Sequence, residues 1–326
     1  MRYLITGGAG FIGSHLAEAL VARGDDVIAL DNLSTGRREN LAGIGDDVEL
    51  VHGSVLDALL VDELMARSDI VIHLAAAVGV RLIVERPLRS LITNIRGSEN
   101  LLEAAHRYRR KILIASTSEI YGKNQRASFR EIDDQVLGSP SVSRWSYSTS
   151  KAVDEILAFA YHRERQLPTV IVRLFNTVGP RQTGAYGMVL PRLVEQALRD
   201  NALTVHGDGR QTRCFCHVSD VVAAMLLLLD EPKAEGDVFN IGSSEEVSIL
   251  ELAKRVIGAT GSRSEISLVP YDEAFGEGFE DMRRRVPDTS KLRSLTGWKP
   301  SHSLDGIIAE VVSDQHTRKA EQAAWR

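Results

Sequence analysis

The sequence predicts an α/β fold, a doubly wound parallel sheet with helices on both of its faces. Short apolar runs alternate with helical patterns through the first half of the chain, which is typical of βαβ units. The first apolar run is followed by three glycines spaced three residues apart, and the second run ends in an aspartate. A strand, a glycine turn and a helix start in this order indicate a Rossmann-type dinucleotide-binding unit.

The elements of this sheet follow one another in the apolar pattern of the chain. We expect strands at residues 3–6, 27–30, 48–51, 70–74, 112–115 and 169–174. A first helix follows the glycines, and we expect further helices at residues 61–66, 91–107 and 151–164. Strands and helices that alternate in this way cover both faces of a parallel sheet.

The glycine turn is predicted to hold the pyrophosphate of a dinucleotide. Its first glycine permits a tight turn, its second lets backbone N–H groups approach the anion, and its third lets the helix lie close to the sheet. The helix then presents its free N–H groups and the positive end of its dipole to the anion. The predicted contacts here are Gly7, Gly10, Phe11, Ile12 and Gly13.

Asp31 follows the second predicted strand and indicates which dinucleotide is bound. A carboxylate there accepts hydrogen bonds from the adenosine ribose and repels a 2′-phosphate, which favours NAD over NADP. Arg37 and Arg38 follow closely and would weaken that preference. The remaining predicted cofactor contacts are Asn32, Asp57, Leu74, Ala75, Ala76 and Asn94.

Composition excludes several other classes of protein. The net charge of −5 and the lack of a basic face argue against nucleic acid binding. The longest apolar run, residues 221–229, is too short to cross a membrane, and the first strand begins so early that we expect no signal peptide. Cys214 and Cys216 lie two residues apart on a predicted strand, and we expect both to be packed rather than bridged to each other or bound to metal. We therefore expect a reduced, cytoplasmic protein without a metal site.

The pattern changes after Asn176, where loop signals, short strands and apolar helices follow. We expect strands at residues 204–206, 212–218 and 238–241, and helices at residues 189–198 and 249–259. We predict that residues 1–176 form the NAD-binding domain, to which segments at about 212–241 return. Residues 177–326 then form mainly a smaller C-terminal α/β domain for the substrate, and the cleft between the two is the expected site.

Tyr147 and Lys151 form the second strong motif, because residues four apart share one face of a helix. An ammonium beside a phenol stabilises the phenolate and is expected to lower the pKa of Tyr147 from about 10. Such a pair takes a proton from an alcohol while hydride leaves the carbon. The alternative is a surface tyrosine and lysine at chance spacing.

The fifth predicted strand leads into Thr117, Ser118 and Glu119, at the sheet edge that faces the ligand. The hydroxyl groups of Thr117 and Ser118 can hydrogen-bond a sugar hydroxyl, and the Glu119 carboxylate would lie beside the reacting carbon. The alternative is a capped turn with a solvated glutamate.

Over essentially its whole length the chain resembles the extended short-chain dehydrogenases/reductases that act on nucleotide sugars. Beyond the two motifs above, residues 173–176, 179–181 and 207–213 match this family. The resemblance implies a permanently bound NAD, transient oxidation at C4, Tyr147 as the base with Thr117 or Ser118 as its partner, and a homodimer through helices 91–107 and 151–164. It also implies substrate contacts at Asn176, Val189, Arg192, Thr204, His206 and Arg213.

Three further features resemble the UDP-glucuronate decarboxylases, which include UDP-xylose synthase, the aminoarabinose-pathway decarboxylase and apiose synthase. They are residues 116–119, residues 144–145, and residues 275–281 followed by 285–287. The resemblance implies a catalytic Glu119, contact of Arg144 with the glucuronate, a substrate contact at Phe279, and Arg285 as the proton donor. Alternatively, these arginines are phosphate ligands or surface charges.

The chemistry of such a decarboxylase is coherent. A uronate oxidised at C4 is a β-keto acid that loses CO2 to give an enolate, which a nearby cation stabilises. The product is a UDP-pentose or its 4-keto form. Three alternatives stay open at this point: a UDP-glucose or UDP-glucuronate 4-epimerase, a 4,6-dehydratase that shares the Glu119 motif, and a non-catalytic NAD or nucleotide sensor. The tyrosines that the decarboxylases carry near Ile83 and at Phe279 are missing.

Overall fold

The computed structural model describes residues 1–79, 85–184, 188–275 and 280–324. The strands are β1 (Arg2–Thr6), β2 (Asp26–Asp31), β3 (Val48–His52), β4 (Ile70–His73), β5 (Lys111–Thr117), β6 (Thr169–Leu174), β7 (Thr177–Val178), β8 (Leu203–His206), β9 (Thr212–Cys214), β10 (Cys216–His217), β11 (Asp237–Ile241), β12 (Glu246–Ser248), β13 (Ile266–Val269) and β14 (Arg284–Arg285). The α-helices are α1 (Phe11–Ala22), α2 (Ala58–Ala66), α3 (Pro87–Tyr108), α4 (Ser146–Arg165), α5 (Val189–Ala197), α6 (Val218–Asp230), α7 (Ile249–Thr260), α8 (Tyr271–Phe275), α9 (Ser290–Thr296) and α10 (Leu304–Ala324).

A seven-stranded parallel sheet forms the centre of the molecule, in the order β11-β6-β5-β4-β1-β2-β3. The strand order reverses beside β1, which is the topological switch point where α/β sheets bind ligands. In register, Thr6 at the end of β1 lies opposite Leu30 on one side and His73 on the other. The predicted doubly wound parallel sheet is confirmed.

Helices cover both faces of this sheet because the side chains of each strand alternate between the faces. Tyr3 and Ile5 of β1 pack with α1 and α6, whereas Leu4 packs with α2, α3 and α4. A third apolar core lies outside the sheet, where α5, α7 and α10 pack together. Three small sheets accompany it: β8 with β13, β9 between β12 and β14, and β7 with β10.

The segment at residues 212–241 divides between these units. Its end, β11, pairs with β6 in the large sheet, and α6 packs against α1. Its start, β9, belongs instead to the three-stranded sheet with β12 and β14. The domain boundaries stay a prediction.

The expectation of one continuous strand at residues 212–218 is wrong. The structure breaks it after Cys214 and begins a helix at Val218, with buried Phe215 between the two short strands. A strand cannot continue through residue 218, because the His217 side chain accepts a hydrogen bond from the Ser219 N–H at 3.3 Å and so caps α6. The apolar run at 221–229 lies within α6, with most of its side chains buried and Ala223 and Leu227 exposed.

We expect Gly13→Ala to destabilise the fold and weaken dinucleotide binding. An added Cβ would collide with the Gly7 carbonyl oxygen and lie 2.8 Å from the Gly8 Cα, both of them backbone atoms. The expected loss is about 1–3 kcal/mol of unfolding free energy, measured by urea denaturation.

Gly258→Ala is the matched control, because nothing lies within 4 Å of its added Cβ in the last turn of α7. It should be neutral or stabilise the protein by about 0.5–1 kcal/mol. Equal unfolding free energies for the two variants would contradict the close packing at the turn.

Candidate active site

A cleft of about 560 Å³ lies at the carboxyl ends of the central strands. Its floor comes from residues that follow β1, β2, β4, β5 and β6, and its roof from α5, β8 and β9. Most of the predicted site residues line it: Gly7, Gly10, Phe11, Ile12, Gly13, Asp31, Asn32, Leu74, Ala75, Ala76, Thr117, Ser118, Glu119, Arg144, Tyr147, Lys151, Asn176, Val189, Arg192, His206, Arg213 and Arg285.

The glycine turn leaves room for an anion at the start of α1. Gly7 has φ +73°, and a Cβ there would lie 3.0 Å from the Ala75 backbone nitrogen across the cleft floor. Gly10 is the N-cap residue and supplies no side-chain cap, so the first N–H groups of α1 stay available. These features fit the pyrophosphate of a dinucleotide.

Asp31 fixes the same turn from the end of β2. Its carboxylate accepts hydrogen bonds from the backbone N–H groups of Ala9, at 3.0 Å, and Leu33, at 2.8 Å. Burial raises the pKa of Asp31, and the two hydrogen bonds only partly offset that rise. The carboxylate lines the cleft where an adenosine ribose would lie in a Rossmann unit.

Two of the predicted cofactor residues do not line the cleft. The Asp57 carboxylate caps α2 by accepting a hydrogen bond from the Leu60 N–H at 3.1 Å. The Asn94 carboxamide is buried and joins the loop after β4 to α4, since its oxygen accepts from the Ala77 N–H at 2.8 Å and its nitrogen donates to the Ser150 hydroxyl at 3.1 Å. Asn94 therefore positions the cofactor side of the cleft, and the direct roles of both residues stay predictions.

Tyr147 and Lys151 line the cleft from the first turns of α4, and both side chains are buried. The expected fall in the pKa of Tyr147 is wrong for this state of the protein. Burial holds that pKa well above its usual range, Glu119 and Asp154 add to the rise, and the hydrogen bond to Thr117 opposes it. The Lys151 ammonium is paired with Asp154 at 2.8 Å, which offsets its charge at the phenol.

A buried group of charges lies beside Tyr147. Arg144 makes an ion pair with Glu119, and Arg285 lies 3.6 Å from the other oxygen of the same carboxylate. Arg285 also donates to the Ser118 hydroxyl at 3.4 Å. Burial alone would raise the pKa of Glu119, but the two guanidinium groups hold it below its usual range. Glu119 is therefore ionised and not a solvated surface group.

Asp281 joins a second part of the same group. Its carboxylate accepts from Arg213 at 2.8 Å and from the Tyr271 hydroxyl at 3.2 Å, and it lies 3.7 Å from Arg144. Burial would raise the pKa of Asp281, but Arg213, Arg285 and Arg144 together lower it. The motif that contained Asp281 pointed to this segment, but nothing in the sequence indicated its partners.

Arg192 contributes a further cation without a carboxylate partner among the residues that the structure describes. Its guanidinium donates to the Thr204 hydroxyl, and the Gln196 side-chain nitrogen donates to the same hydroxyl at 3.0 Å. Thr204 therefore does not line the cleft but holds Arg192 in place. Burial lowers the pKa of Arg192, as expected for a desolvated cation. Beside it, burial and Arg192 lower the pKa of His206 to about 4, so this imidazole is neutral.

The charges of the cleft do not balance. Four guanidinium groups, of Arg144, Arg192, Arg213 and Arg285, line the cleft together with the carboxylates of Glu119 and Asp281, whereas Arg181 pairs with Glu18, and Arg37 and Arg89 are exposed. Two positive charges remain, in a setting where unpaired charge is costly. Asn176 adds a polar lining group whose side chain donates to the Cys214 carbonyl at 2.8 Å. The cleft is therefore arranged to receive an anionic ligand.

Phe279 and the position near Ile83 lie outside the described residues. Sequence reasoning also missed lining residues with polar side chains, among them Arg89, Thr93, Arg181, Gln211 and Tyr271. Within the described ranges, no three His, Cys, Asp or Glu side chains are grouped as metal ligands. In the same part of the chain, no helix is both apolar enough and long enough to cross a bilayer.

Comparison with known proteins agrees with this geometry. The chain matches the GDP-mannose 4,6 dehydratase family over residues 4–311. It is 42% identical over 312 residues to a UDP-N-acetyl-alpha-D-glucosaminuronate decarboxylase of Bacillus cytotoxicus, which covers 95% of this chain and 96% of that protein. It is 35% identical over 320 residues to UDP-glucuronic acid decarboxylase 1 of Arabidopsis thaliana, which covers 98% of this chain and 70% of that protein.

A solved structure is similar over the whole fold. The UDP-glucuronic acid 4-epimerase of Bacillus cereus, in complex with UDP-glucuronic acid and NAD, superposes with a TM-score of 0.88 at 28% identity and covers 98% of this chain and 100% of that one. The fold and cleft are those of a dinucleotide-dependent enzyme. The chain belongs to the GDP-mannose 4,6 dehydratase family of extended short-chain dehydrogenases/reductases, which confirms the resemblance and the enzyme class predicted from its motifs.

We expect Glu119→Gln to destabilise the protein by about 1–3 kcal/mol at pH 7, because it leaves buried guanidinium groups without their carboxylate. The folded pKa of Glu119 lies below its unfolded value of about 4.3, so its stabilisation is present above that pH. It is lost as the pH falls through the folded pKa. The difference in unfolding free energy between the native protein and the variant, measured by urea denaturation, should therefore become smaller as the pH falls.

The control is Glu103→Gln, which breaks an exposed ion pair with Arg107 on α3 and should cost at most about 1 kcal/mol. If Glu119→Gln were as stable as the native protein at pH 7, the carboxylate would not hold the cluster together.

Proposed function

We propose that the protein decarboxylates a UDP-uronate, with UDP-glucuronate as the leading substrate, to a UDP-pentose through a transient 4-keto sugar. The observation that carries the proposal is the excess of positive charge in the cleft that Tyr147 also lines. The carboxylates of the cleft leave part of the positive charge of Arg144, Arg192, Arg213 and Arg285 unmatched. The diphosphate and the uronate carboxylate of the substrate would supply the missing negative charge. The relatives support it, because both are decarboxylases of UDP-linked uronates.

NAD is the cofactor, and when bound it would supply a hydride acceptor and donor for C4 of the sugar. The residues of this chain that would hold it are the glycine turn, Asp31 and the loop after β4. Tyr147 takes the proton of the 4-hydroxyl, and Thr117 orients the phenol by their hydrogen bond. Arg144 also favours the phenolate, since its charge opposes the rise in the pKa of Tyr147.

The loss of CO2 is assigned to the cluster around Glu119. Arg144 binds the carboxylate of the substrate, the bond from C5 to that carboxylate breaks, and the electron pair moves to the oxygen at C4 as an enolate. Arg285 stabilises this charge and delivers the proton to C5. Burial and the neighbouring Arg213 lower the pKa of Arg285 to about 10, which makes its guanidinium a better acid than an ordinary arginine.

The second candidate function is 4-epimerisation of UDP-glucuronate. It is favoured by the structural similarity to the Bacillus cereus epimerase, which binds UDP-glucuronic acid. Both reactions need the same oxidation at C4 and the same carboxylate contact. They differ in the fate of the ketone: in the decarboxylase CO2 is lost and an acid then protonates the enolate at C5, whereas in the epimerase the ketone is reduced again from its other face.

We expect purified protein to release CO2 and a UDP-pentose from UDP-glucuronate or its 2-acetamido analogue, measured by mass spectrometry and CO2 trapping. Arg285→Ala should lower kcat at least about a hundredfold, because the enolate loses its cation and its acid. Arg283→Ala is the matched control, because Arg283 lies two residues before Arg285 and its side chain is exposed.

Three results would contradict the proposal. They are UDP-galacturonate formed without CO2, an Arg285→Ala variant with unchanged turnover, or turnover retained by Tyr147→Phe. The first would support the epimerase, and the last would remove the base from either reaction.

We also propose that the protein is a cytoplasmic homodimer that pairs through α3 and α4. The support is the family resemblance together with exposed apolar side chains on these neighbouring helices, Leu88 on α3 at 69% and Ile156 on α4 at 65% exposure. The two cysteine thiols are buried and burial raises their pKa values, which suits a reducing compartment.

For the dimer, Ile156→Glu should shift sedimentation-equilibrium mass from two chains toward one, because a charge would be buried in the interface. Leu268→Glu, on β13 and also exposed, should leave the mass unchanged. A native protein that sediments as one chain at micromolar concentration would contradict the pairing.

A further inference from the structure

The ion pair between Lys151 and Asp154 is not used by the proposed reaction. Lys151 Nζ donates to Asp154 Oδ2 at 2.8 Å, and only 3% and 0% of the two side chains are exposed. The other carboxylate oxygen, Oδ1, is buried and has no hydrogen-bond partner among the described residues. A fully buried carboxylate with a free oxygen is costly, so a structural role alone gives it little benefit.

The geometry of α4 links this pair to the phenol. Tyr147, Lys151 and Asp154 follow one another at spacings of four and three residues, which places all three on one face of the helix. In a buried setting, a lysine charge that is matched by an adjacent carboxylate contributes little net potential a helical turn away. Asp154 also acts on Tyr147 directly, because its charge disfavours the phenolate.

We propose that Asp154 is a positioning residue that holds the Lys151 ammonium and, by offsetting its charge, sets the pH range in which Tyr147 can act as a base. This inference rests on the proposed role of Tyr147 in proton transfer. Asp154 does not touch the substrate in this scheme. It acts through Lys151 and through its own field at the phenol.

The other charged groups near this face do not titrate in the neutral range. His73 reaches Lys151 from β4, and burial followed by the lysine charge lowers its pKa to about 3. Its two ring nitrogens are held by the hydroxyl groups of Thr6, at 2.8 Å, and Ser98, at 3.1 Å. Glu119, after β5, stays ionised, and Arg144, just before α4, stays protonated. The neighbouring Glu155 carboxylate turns away to Arg173, at 2.8 Å.

The test is the pH dependence of kcat/KM in Asp154→Asn, which keeps the size of the side chain but removes its charge. The unmatched lysine charge should stabilise the phenolate. The acid limb of the pH profile of kcat/KM should therefore move to lower pH by about one unit. Asp154→Glu keeps the charge and should return the limb toward its native position. A purely structural role would lower kcat in both variants without moving the limb.

The matched control is Glu164→Gln, the same change of charge on the same helix but at an exposed side chain. Solvent should screen the loss of the Glu164 charge, so the acid limb of the kcat/KM profile should not move. If Asp154→Asn does not fold, Asp154→Ser takes its place, because it also removes the charge with a small polar side chain. The proposal expects the same shift of the acid limb to lower pH in that variant.

A second readout does not need turnover. In protein labelled with 13C at the tyrosine Cζ, the Tyr147 signal is assigned by its loss in Tyr147→Phe, and its onset of ionisation in alkali is followed by NMR. This onset should come at lower pH in Asp154→Asn than in the native chain. If no UDP-uronate is consumed but the onset shifts, the proposed function fails and the inference about Asp154 holds. An unshifted onset together with an unmoved limb overturns the inference.

Discussion

The site depends on an unequal balance of charge, because Arg144, Arg192, Arg213 and Arg285 line the cleft together with the carboxylates of only Glu119 and Asp281. Removing one partner of a buried pair is costly, so Glu119 and Asp281 are needed to keep the arginines together in the absence of a ligand. They cannot neutralise them fully. The remaining positive charge makes the cleft a receptor for an anion, and the phenol that would take the proton lines the same cleft.

The fold assembles this cluster from distant parts of the chain. Glu119 follows the central strand β5, and Arg144 comes just before α4, which packs on the same sheet. Arg213 and Arg285 lie side by side in the register of β9 and β14, where like charges repel. Asp281 offsets that repulsion by accepting from Arg213 and facing the other guanidinium groups. The three-stranded sheet thus places Arg213 and Arg285 at the cleft beside the large sheet.

Local pattern was enough to predict the sheet, the glycine turn and the Tyr147/Lys151 pair, because each is a short-range feature with a fixed spacing. The interactions that tune them were not predictable in this way. Asp281 meets Arg213 from 68 residues away, and the start of α6 at Val218 depends on the cap that His217 provides. Asp154 lies three residues after the lysine, but only the burial of both side chains makes that spacing important.

The central claim is that the net positive charge of the cleft, with Arg144 as the direct contact, recognises a carboxylate on the substrate. The most direct measurement is isothermal titration calorimetry of UDP-glucuronate against UDP-glucose, two ligands that differ by that carboxylate, on the Tyr147→Phe variant, in which turnover is expected to be blocked. We expect UDP-glucuronate to bind at least tenfold more tightly, a difference of about 1.4 kcal/mol. Equal affinities for the two ligands would contradict the account.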